Sequence, residues 1–261
     1  MKIRFRITVA FVLLSWCVTN VLSQQNSNGD HVFLTSVQNQ IEMRFLEAMK
    51  DQEFEPLLNI KNRIDRIDDV GSSTLNYYKS YWSSYLLYHL SLCYFRNGQL
   101  EMSERVIKEA IDILEDIENK DSEVLALLAL AQTFYFQYVP RQDVFLHMHK
   151  VKENLKKSMI LDKNNMRAHY VNASYDYYTP EEYGGGQRSE SLLLKAVAAP
   201  NTRSSPFAPN WGKKEAYGLL IGYYIKKANK ESASKYLSIL KNRFPEYGMI
   251  NSYSEAIEAI N

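Results

Sequence analysis

The feature that most constrains this chain is a pattern of apolar and small residues that recurs at helical spacing. In its clearest copy one stripe ends at a turn glycine and a second stripe follows. The copy comprises Leu87, Leu90, Ser91, Tyr94, Gly98, Leu100, Ser103, Ile107, Ala110 and Ile111. Because residues three and four apart share a helix face, the pattern predicts two antiparallel helices joined at Gly98. Stacked pairs of this kind usually hold partners and do not perform chemistry.

This spacing resembles the tetratricopeptide repeat (TPR), in which small residues let two helices approach closely. The resemblance covers most of residues 33–250. It is strongest in the second helix pair and in the fifth, where Ala233 and Pro245 match and Ala228 replaces the turn glycine. It implies an all-α, right-handed solenoid of about four to five antiparallel helix pairs. A short capping helix over residues 250–260 would cover the C-terminal end, as exposed solenoid ends require.

The remaining pairs are less regular and carry insertions at their turns. The first pair flanks residues 51–53, the third is interrupted near Pro140, and the fourth carries a Pro180 and glycine-rich turn. We expect the insertions at residues 139–145 and 176–188 to rim or close a concave face. Residues 198–209 are expected to form a loop or linker. We predict that residues 33–261 form a single TPR-like helical-repeat domain.

The N-terminal residues are typical of an export signal. Three basic residues precede an apolar run over residues 7–21, which is too short for a convincing membrane span. We predict a signal peptide over residues 1–23, a flexible polar leader over residues 24–32, and a mature protein that is periplasmic or secreted. Cys17 loosely resembles a lipoprotein acylation site, but the bulky Trp16 before it favours a plain signal peptide.

Charge and cysteine content exclude several classes of function. The chain carries a formal charge of +1, and loss of the three basic residues in the signal would leave the mature protein weakly negative. A near-neutral, mixed surface gives no electrostatic case for binding nucleic acid. Cys93 would be the remaining cysteine, and a buried structural thiol is the favoured interpretation.

Three segments could carry chemistry, and each has a more ordinary interpretation. His147, Met148 and His149 could bind copper, but alternate helix positions diverge, so a polar helix edge is favoured. The glycines at 184–186 before Arg188 could hold an anion, yet they lack the lysine of a P-loop, and a plain turn is favoured. Neighbouring carboxylates at 68–69, 115–116 and 181–182 are interpreted as solvated surface. No catalytic motif occurs, so we predict no enzymatic activity, metal or cofactor.

Two hypotheses therefore remain for the function. The first is an exported scaffold that binds a protein or an extended peptide on its concave face. The second is a small-molecule carrier, because the segment from Tyr177 to Gly186 followed by Asn210-Trp211-Gly212 resembles exported bacterial TPR-like proteins associated with TRAP-type transporters. Tyrosine and tryptophan are favoured at binding surfaces. The predicted contact residues are Tyr177, Tyr178, Tyr183, Arg188 and Trp211.

Overall fold

The computed structural model describes residues 29–201 and 204–260, and within these ranges the chain is helical, with turns and loops between the helices. The predicted signal peptide, together with residues 24–28 of the predicted leader, lies outside the described residues. The α-helices in chain order are α1 (29–51), α2 (Glu55–Asp65), α3 (Ser73–Arg96), α4 (Leu100–Glu115), α5 (Ser122–Tyr135), α6 (Val144–Leu161), α7 (Met166–Tyr178), α8 (Ser189–Ala198), α9 (Lys213–Lys226), α10 (Lys230–Arg243) and α11 (Ile250–Glu258).

These helices pack as a stack of pairs. α3 packs with α4, α5 with α6, α7 with α8, and α9 with α10, while α11 covers α9 and α10. The odd-numbered helices α3, α5, α7 and α9 also contact one another in sequence. They therefore form an inner layer, and the even-numbered helices lie outside it. This arrangement confirms the prediction of an all-α, solenoid-like fold.

The second pair shows why the repeated small residues matter. Ser103 is fully buried, and its hydroxyl donates to the carbonyl of Ser91 on the facing helix at 2.7 Å. A larger side chain at either position would separate α3 from α4. Gly98 makes the predicted turn with a φ of +74°, a conformation that glycine adopts without a steric penalty.

α1 begins earlier than the sequence predicted. Residues 29–32 were expected to belong to a flexible leader, but they already form part of α1. Asp30 is buried, and its carboxylate accepts from the Arg63 guanidinium at 2.6 Å and from the backbone N–H of Asp68 at 3.2 Å. These two contacts tie the start of α1 to the end of α2.

The predicted loop before α9 is a packed element of the interior. We call residues 204–212 the crossing segment. Phe207 and Trp211 are buried in the same apolar cluster as α1 and α3. The Trp82 indole donates to the carbonyl of Phe207 at 3.1 Å, and the backbone N–H of Asn210 donates to Gln38 of α1 at 2.6 Å. The crossing segment thus joins the start of α9 to α1 and α3.

None of the helices among the described residues is both long enough and apolar enough to cross a membrane.

Candidate ligand-binding site

The two turn insertions lie side by side. After α5 the chain makes two short 3₁₀ turns, Phe136–Tyr138 and Arg141–Asp143, and after α7 it makes a third, Glu181–Tyr183. Pro140 and Pro180, which cannot continue a helix, precede the second and third of these turns. The rings of Phe145 and Tyr183 approach edge to face at 6.2 Å, so the two insertions share one edge of the molecule.

An apolar crevice of about 290 Å³ opens between these insertions. We call it the tyrosine crevice, and its walls come from α5, α6, α7 and the turn after α7. Its lining residues are Thr133, Phe136, Val144, Met148, Tyr175, Tyr178, Thr179, Pro180 and Tyr183. Its volume lies near the lower end of the range for small-molecule sites.

Tyr175 gives the crevice one unsatisfied polar group. The residue is only 5% exposed, and its hydroxyl is buried without a hydrogen-bond partner in the part of the chain that the structure describes. The neighbouring Thr179 hydroxyl donates to the Tyr175 backbone carbonyl at 2.6 Å. Burial raises the pKa of Tyr175, so the phenol is protonated and can donate. An unpaired buried hydroxyl costs free energy, and a ligand acceptor would recover that cost.

The mouth of the crevice is aromatic and exposed, with cations at its edge. Tyr178 is 66% exposed and Tyr183 is 44% exposed, and the side chain of Phe145 beside them is also largely exposed. The Lys152 ammonium lies 6.0 Å from the centre of the Tyr175 ring. Arg188 is mostly solvent-exposed. Exposed aromatic groups beside exposed cations are suited to a flat ligand that carries negative groups at its rim.

The five contact residues predicted from the sequence lie in different surroundings. Tyr178 and Tyr183 line the crevice. Tyr177 packs edge to face on Tyr178 at 4.9 Å, and the Lys226 ammonium lies over the Tyr177 ring, 5.7 Å from its centre. Arg188 forms an ion pair with Asp176 at 3.4 Å. The prediction for Trp211 needs correction, as described next.

Trp211 belongs to the interior and not to a binding surface. It is 2% exposed, its indole N–H donates to the Tyr81 hydroxyl at 2.9 Å, and its ring stacks on Tyr85 at 5.7 Å. Trp211 was predicted as a contact residue together with the tyrosines of the fourth pair. The crossing segment instead folds back and delivers the indole to α3.

The glycine-rich turn does not leave an anion site open. The Asp176 carboxylate accepts from the backbone N–H of Arg188 at 3.1 Å and from the Ser189 hydroxyl at 2.8 Å. It therefore occupies the position at the start of α8 where an external anion would bind. A Cβ built at Gly185 would lie 1.9 Å from the carbonyl oxygen of Thr179, so glycine is required there for close backbone approach.

The histidines of the His147–His149 segment lie in different surroundings. The His147 Nε2 atom is 2.7 Å from the carbonyl oxygen of Gln132, while His149 is exposed to solvent. Met148 between them is buried and lines the crevice. No group of three or more histidine, cysteine or acidic side chains suited to a metal ion occurs among the described residues.

Sequence reasoning missed most of the crevice wall. Phe136, Val144, Met148 and Pro180 were not among the predicted contacts. The signal that the sequence offered was the pair of turn insertions together with the tyrosines at 175, 178 and 183. Tyr175 and Tyr178 are three residues apart and so share a helix face, and Tyr183 follows in the turn. This signal could not show that the insertions of two different pairs meet.

Comparison with known proteins agrees with this all-helical, solenoid-like class. No known family matches the chain, and neither does any curated protein. One solved structure, that of the HusA haemophore from Porphyromonas gingivalis, is similar, with a TM-score of 0.54 and 22% sequence identity. The match covers 70% of this chain and 90% of that one. At this identity the likeness establishes a shared fold.

Proposed function

We propose that this protein is an exported, non-enzymatic carrier of a flat aromatic small molecule of the porphyrin class, bound at the tyrosine crevice. One observation carries the proposal: an apolar, aromatic crevice contains a buried tyrosine hydroxyl without a hydrogen-bond partner. The shared fold with a protein described as a haemophore supports haem as the member of this class to test first. Export rests on the predicted signal peptide.

The crevice would take one edge of a porphyrin. Its volume of about 290 Å³ is small for a whole macrocycle, so the remaining rings would lie over Tyr178, Tyr183 and Phe145 at the mouth. Aromatic faces stack on such a ligand, and the exposed cations Lys152 and Arg188 would balance its carboxylates. The Tyr175 hydroxyl has almost no accessible surface, so it would donate to the ligand only after a neighbouring side chain of the wall shifts.

Two types of side chain in the crevice could also bind iron. Tyrosine phenols and methionine thioethers both serve as axial ligands in haem proteins. Met148 and the tyrosines at 175, 178 and 183 line the crevice and are the side chains of these two types that it offers. If either acts as a ligand, haem would bind more tightly than the iron-free porphyrin.

Binding of a peptide on the concave face stays a prediction that ranks second. The crossing segment already covers the inner side of α3, where Trp82 and Tyr81 contact Phe207 and Trp211. Less of the inner layer is therefore open than in the groove expected from the sequence. Association with a TRAP-type transporter also stays a prediction, and it is compatible with the carrier function.

The direct test is a titration of the mature protein with haem and with protoporphyrin, followed by absorbance and by tyrosine fluorescence. We expect saturable binding that Tyr178→Ala and Tyr183→Ala each weaken by about tenfold, which corresponds to about 1.4 kcal/mol for a lost aromatic contact. Tyr223→Ala, a partly buried tyrosine on α9 outside the crevice, is the matched control and should bind as the wild type does. Absence of binding by the folded wild type, or binding that both crevice variants retain in full, would contradict the proposal.

A further inference from the structure

A second group of tyrosines meets on the inner layer, apart from the crevice wall. We call Tyr88, Tyr170, Tyr178, Tyr247 and Tyr253 the tyrosine cage. These residues come from α3, α7, α11 and the turn before α11, and only Tyr178 also lines the crevice.

The geometry of α9 and the electrostatics of Tyr170 place the cage residues together. A Cβ built at Gly218 of α9 would lie 2.7 Å from the Tyr247 hydroxyl and 3.1 Å from the Tyr253 hydroxyl, so both phenols lie over this helix. Burial raises the pKa of Tyr170 well above its usual value, and the nearby groups Tyr88, Glu215, Tyr247 and Tyr178 raise it further. Glu215 lies three residues before Gly218 and so shares this face of α9 with it. The Tyr247 and Tyr253 hydroxyls therefore lie on the face of α9 that carries Glu215, and Tyr88, Tyr178, Tyr247 and Glu215 are within electrostatic range of Tyr170.

Part of this cage is open to a ligand. Neither the Tyr88 nor the Tyr170 hydroxyl makes a side-chain hydrogen bond within the described chain. Among the described residues, the Tyr175 hydroxyl is the one buried side-chain atom that lacks a hydrogen-bond partner. The Tyr88 and Tyr170 hydroxyls also lack a partner but are not buried in this sense, so they are accessible. Tyr88 also packs edge to face on Phe134 at 6.1 Å, and Tyr170 on Trp211 at 6.4 Å, so both rings are held in place.

Glu215 forms no ion pair in the part of the chain that the structure describes. Its Oε2 accepts from the backbone N–H of Gly212 at 2.8 Å. The neighbouring Lys214 ammonium forms its ion pair with Glu42 of α1, and the Tyr85 hydroxyl donates to the same Glu42 at 3.1 Å. Burial raises the pKa of Glu215 to about 7, which reflects the cost of its charge in this environment. A cation placed beside Glu215 would remove that cost.

From these observations we propose that the tyrosine cage binds a small organic ammonium ion, with Glu215 as its countercharge. Tyrosine faces attract ammonium groups, and aromatic cages are a common way to recognise alkylated amines. The Lys226 ammonium over the Tyr177 ring shows the same contact within this molecule. Glu42 and Glu215 would repel an anion at this position. The inference goes beyond the carrier function and depends on different residues, apart from Tyr178.

Titration calorimetry with choline and with butylammonium tests the proposal, and 3,3-dimethylbutan-1-ol serves as the neutral analogue of choline. We expect at least one of the two cations to bind the wild type, and the alcohol to bind roughly tenfold more weakly or not at all. Glu215→Gln should weaken cation binding by roughly tenfold while it keeps the hydrogen bond from Gly212. Tyr170→Phe should retain binding, and Tyr170→Leu should lose most of it.

Several outcomes would overturn the cage proposal. These are no binding of either cation by the folded wild type, equal binding of the alcohol, or unchanged cation binding by Glu215→Gln. Circular dichroism of each variant shows whether it is folded. If Tyr170→Leu does not fold, Glu215→Gln alone still tests the proposal. Tyr183→Ala should bind the cation normally while it loses porphyrin affinity, so failures of the two proposals are distinguishable.

Discussion

Two tyrosine-rich helices of the inner layer, α3 and α7, present the same residue type in opposite ways. Tyr78, Tyr81 and Tyr85 of α3 are buried, whereas Tyr178 at the end of α7 is 66% exposed. The difference arises from the crossing segment, which lies on α3 and brings Phe207 and Trp211 onto it. The chain closes one end of its own inner face and leaves tyrosines available at the other. The role of a tyrosine here is decided by a segment that is distant in sequence.

The largest expected effect comes from removing the Trp211 indole, which closes the α3 end. Trp211→Ala would leave a cavity among Tyr81, Tyr85 and Tyr170 and would lose the indole hydrogen bond. We expect the free energy of unfolding to fall by about 3–5 kcal/mol. Urea denaturation measures the change. Tyr183→Ala at the open end should change it by about 0.5 kcal/mol or less, and equal losses in the two variants would refute the division into closed and open ends.

A buried ion pair at the base of the crossing segment gives the next effect. Arg167 is buried, pairs with Glu123, and donates to the Asn201 side chain at 2.8 Å. Arg167→Ala would leave Glu123 without its partner and should cost about 3 kcal/mol in unfolding free energy. The matched control is Arg44→Ala, because Arg44 pairs with Glu47 on the exposed surface of α1 and should cost about 0.5 kcal/mol at most. A comparable loss in the control would show that burial of the Arg167 pair has little effect.

The raised pKa of Glu215 predicts that the stability of the protein depends on pH. Burial raises the pKa of Glu215 to about 7 in the folded state, above its ordinary value of 4.5. Between pH 4.5 and about pH 7 the Glu215 carboxyl binds a proton more firmly in the folded state than in the unfolded state. The free energy of unfolding therefore falls as the pH rises through this range. Glu215→Gln lacks this penalty.

We expect the stability of Glu215→Gln relative to the wild type to increase by about 2 kcal/mol between pH 4.5 and pH 8, since each pKa unit is worth about 1.4 kcal/mol and the group is partly exposed. Denaturation at several pH values measures it. A constant difference across that range would show that the Glu215 carboxyl has an ordinary pKa in the folded protein.

The smallest expected effect comes from a comparison of two turns within helix pairs. Gly98 turns between α3 and α4 with a φ of +74°, and Ala228 makes the equivalent turn between α9 and α10 with a φ of +52°. Ala228→Gly should stabilise the protein by about 0.5–1 kcal/mol, because it relieves a left-handed alanine. Thermal unfolding can resolve this difference. Gly98→Ala should have the opposite sign, and a destabilising Ala228→Gly would contradict the argument.

The sequence predicted the local architecture well and the long-range contacts poorly. Ser103, Ile107, Ala110 and Gly98 identified the second pair because their roles depend on neighbours within about twenty residues. The N-cap of α3 is equally local: the Ser72 hydroxyl accepts from the Leu75 N–H at 3.2 Å, three residues along the chain. Helical periodicity and capping are local properties, so one sequence is enough to reveal them.

The candidate site was only half predictable for the same reason. Tyr178 and Tyr183 were selected because tyrosines cluster at a turn insertion. Trp211 was misassigned because nothing near it in the sequence shows that the crossing segment contacts α3, more than 120 residues earlier. The anion-binding hypothesis for the glycine-rich turn was wrong because Asp176, in the last turn of α7, supplies the negative group itself.

The most direct test of the central claim is an NMR titration with protoporphyrin of protein whose tyrosine rings are isotopically labelled. The account predicts large ring-current shifts for Tyr175, Tyr178 and Tyr183, with the signals of Tyr78, Tyr81 and Tyr85 unchanged. Shifts at the α3 tyrosines without shifts at Tyr178 and Tyr183 would contradict it, because the ligand would then have entered the end that the crossing segment closes.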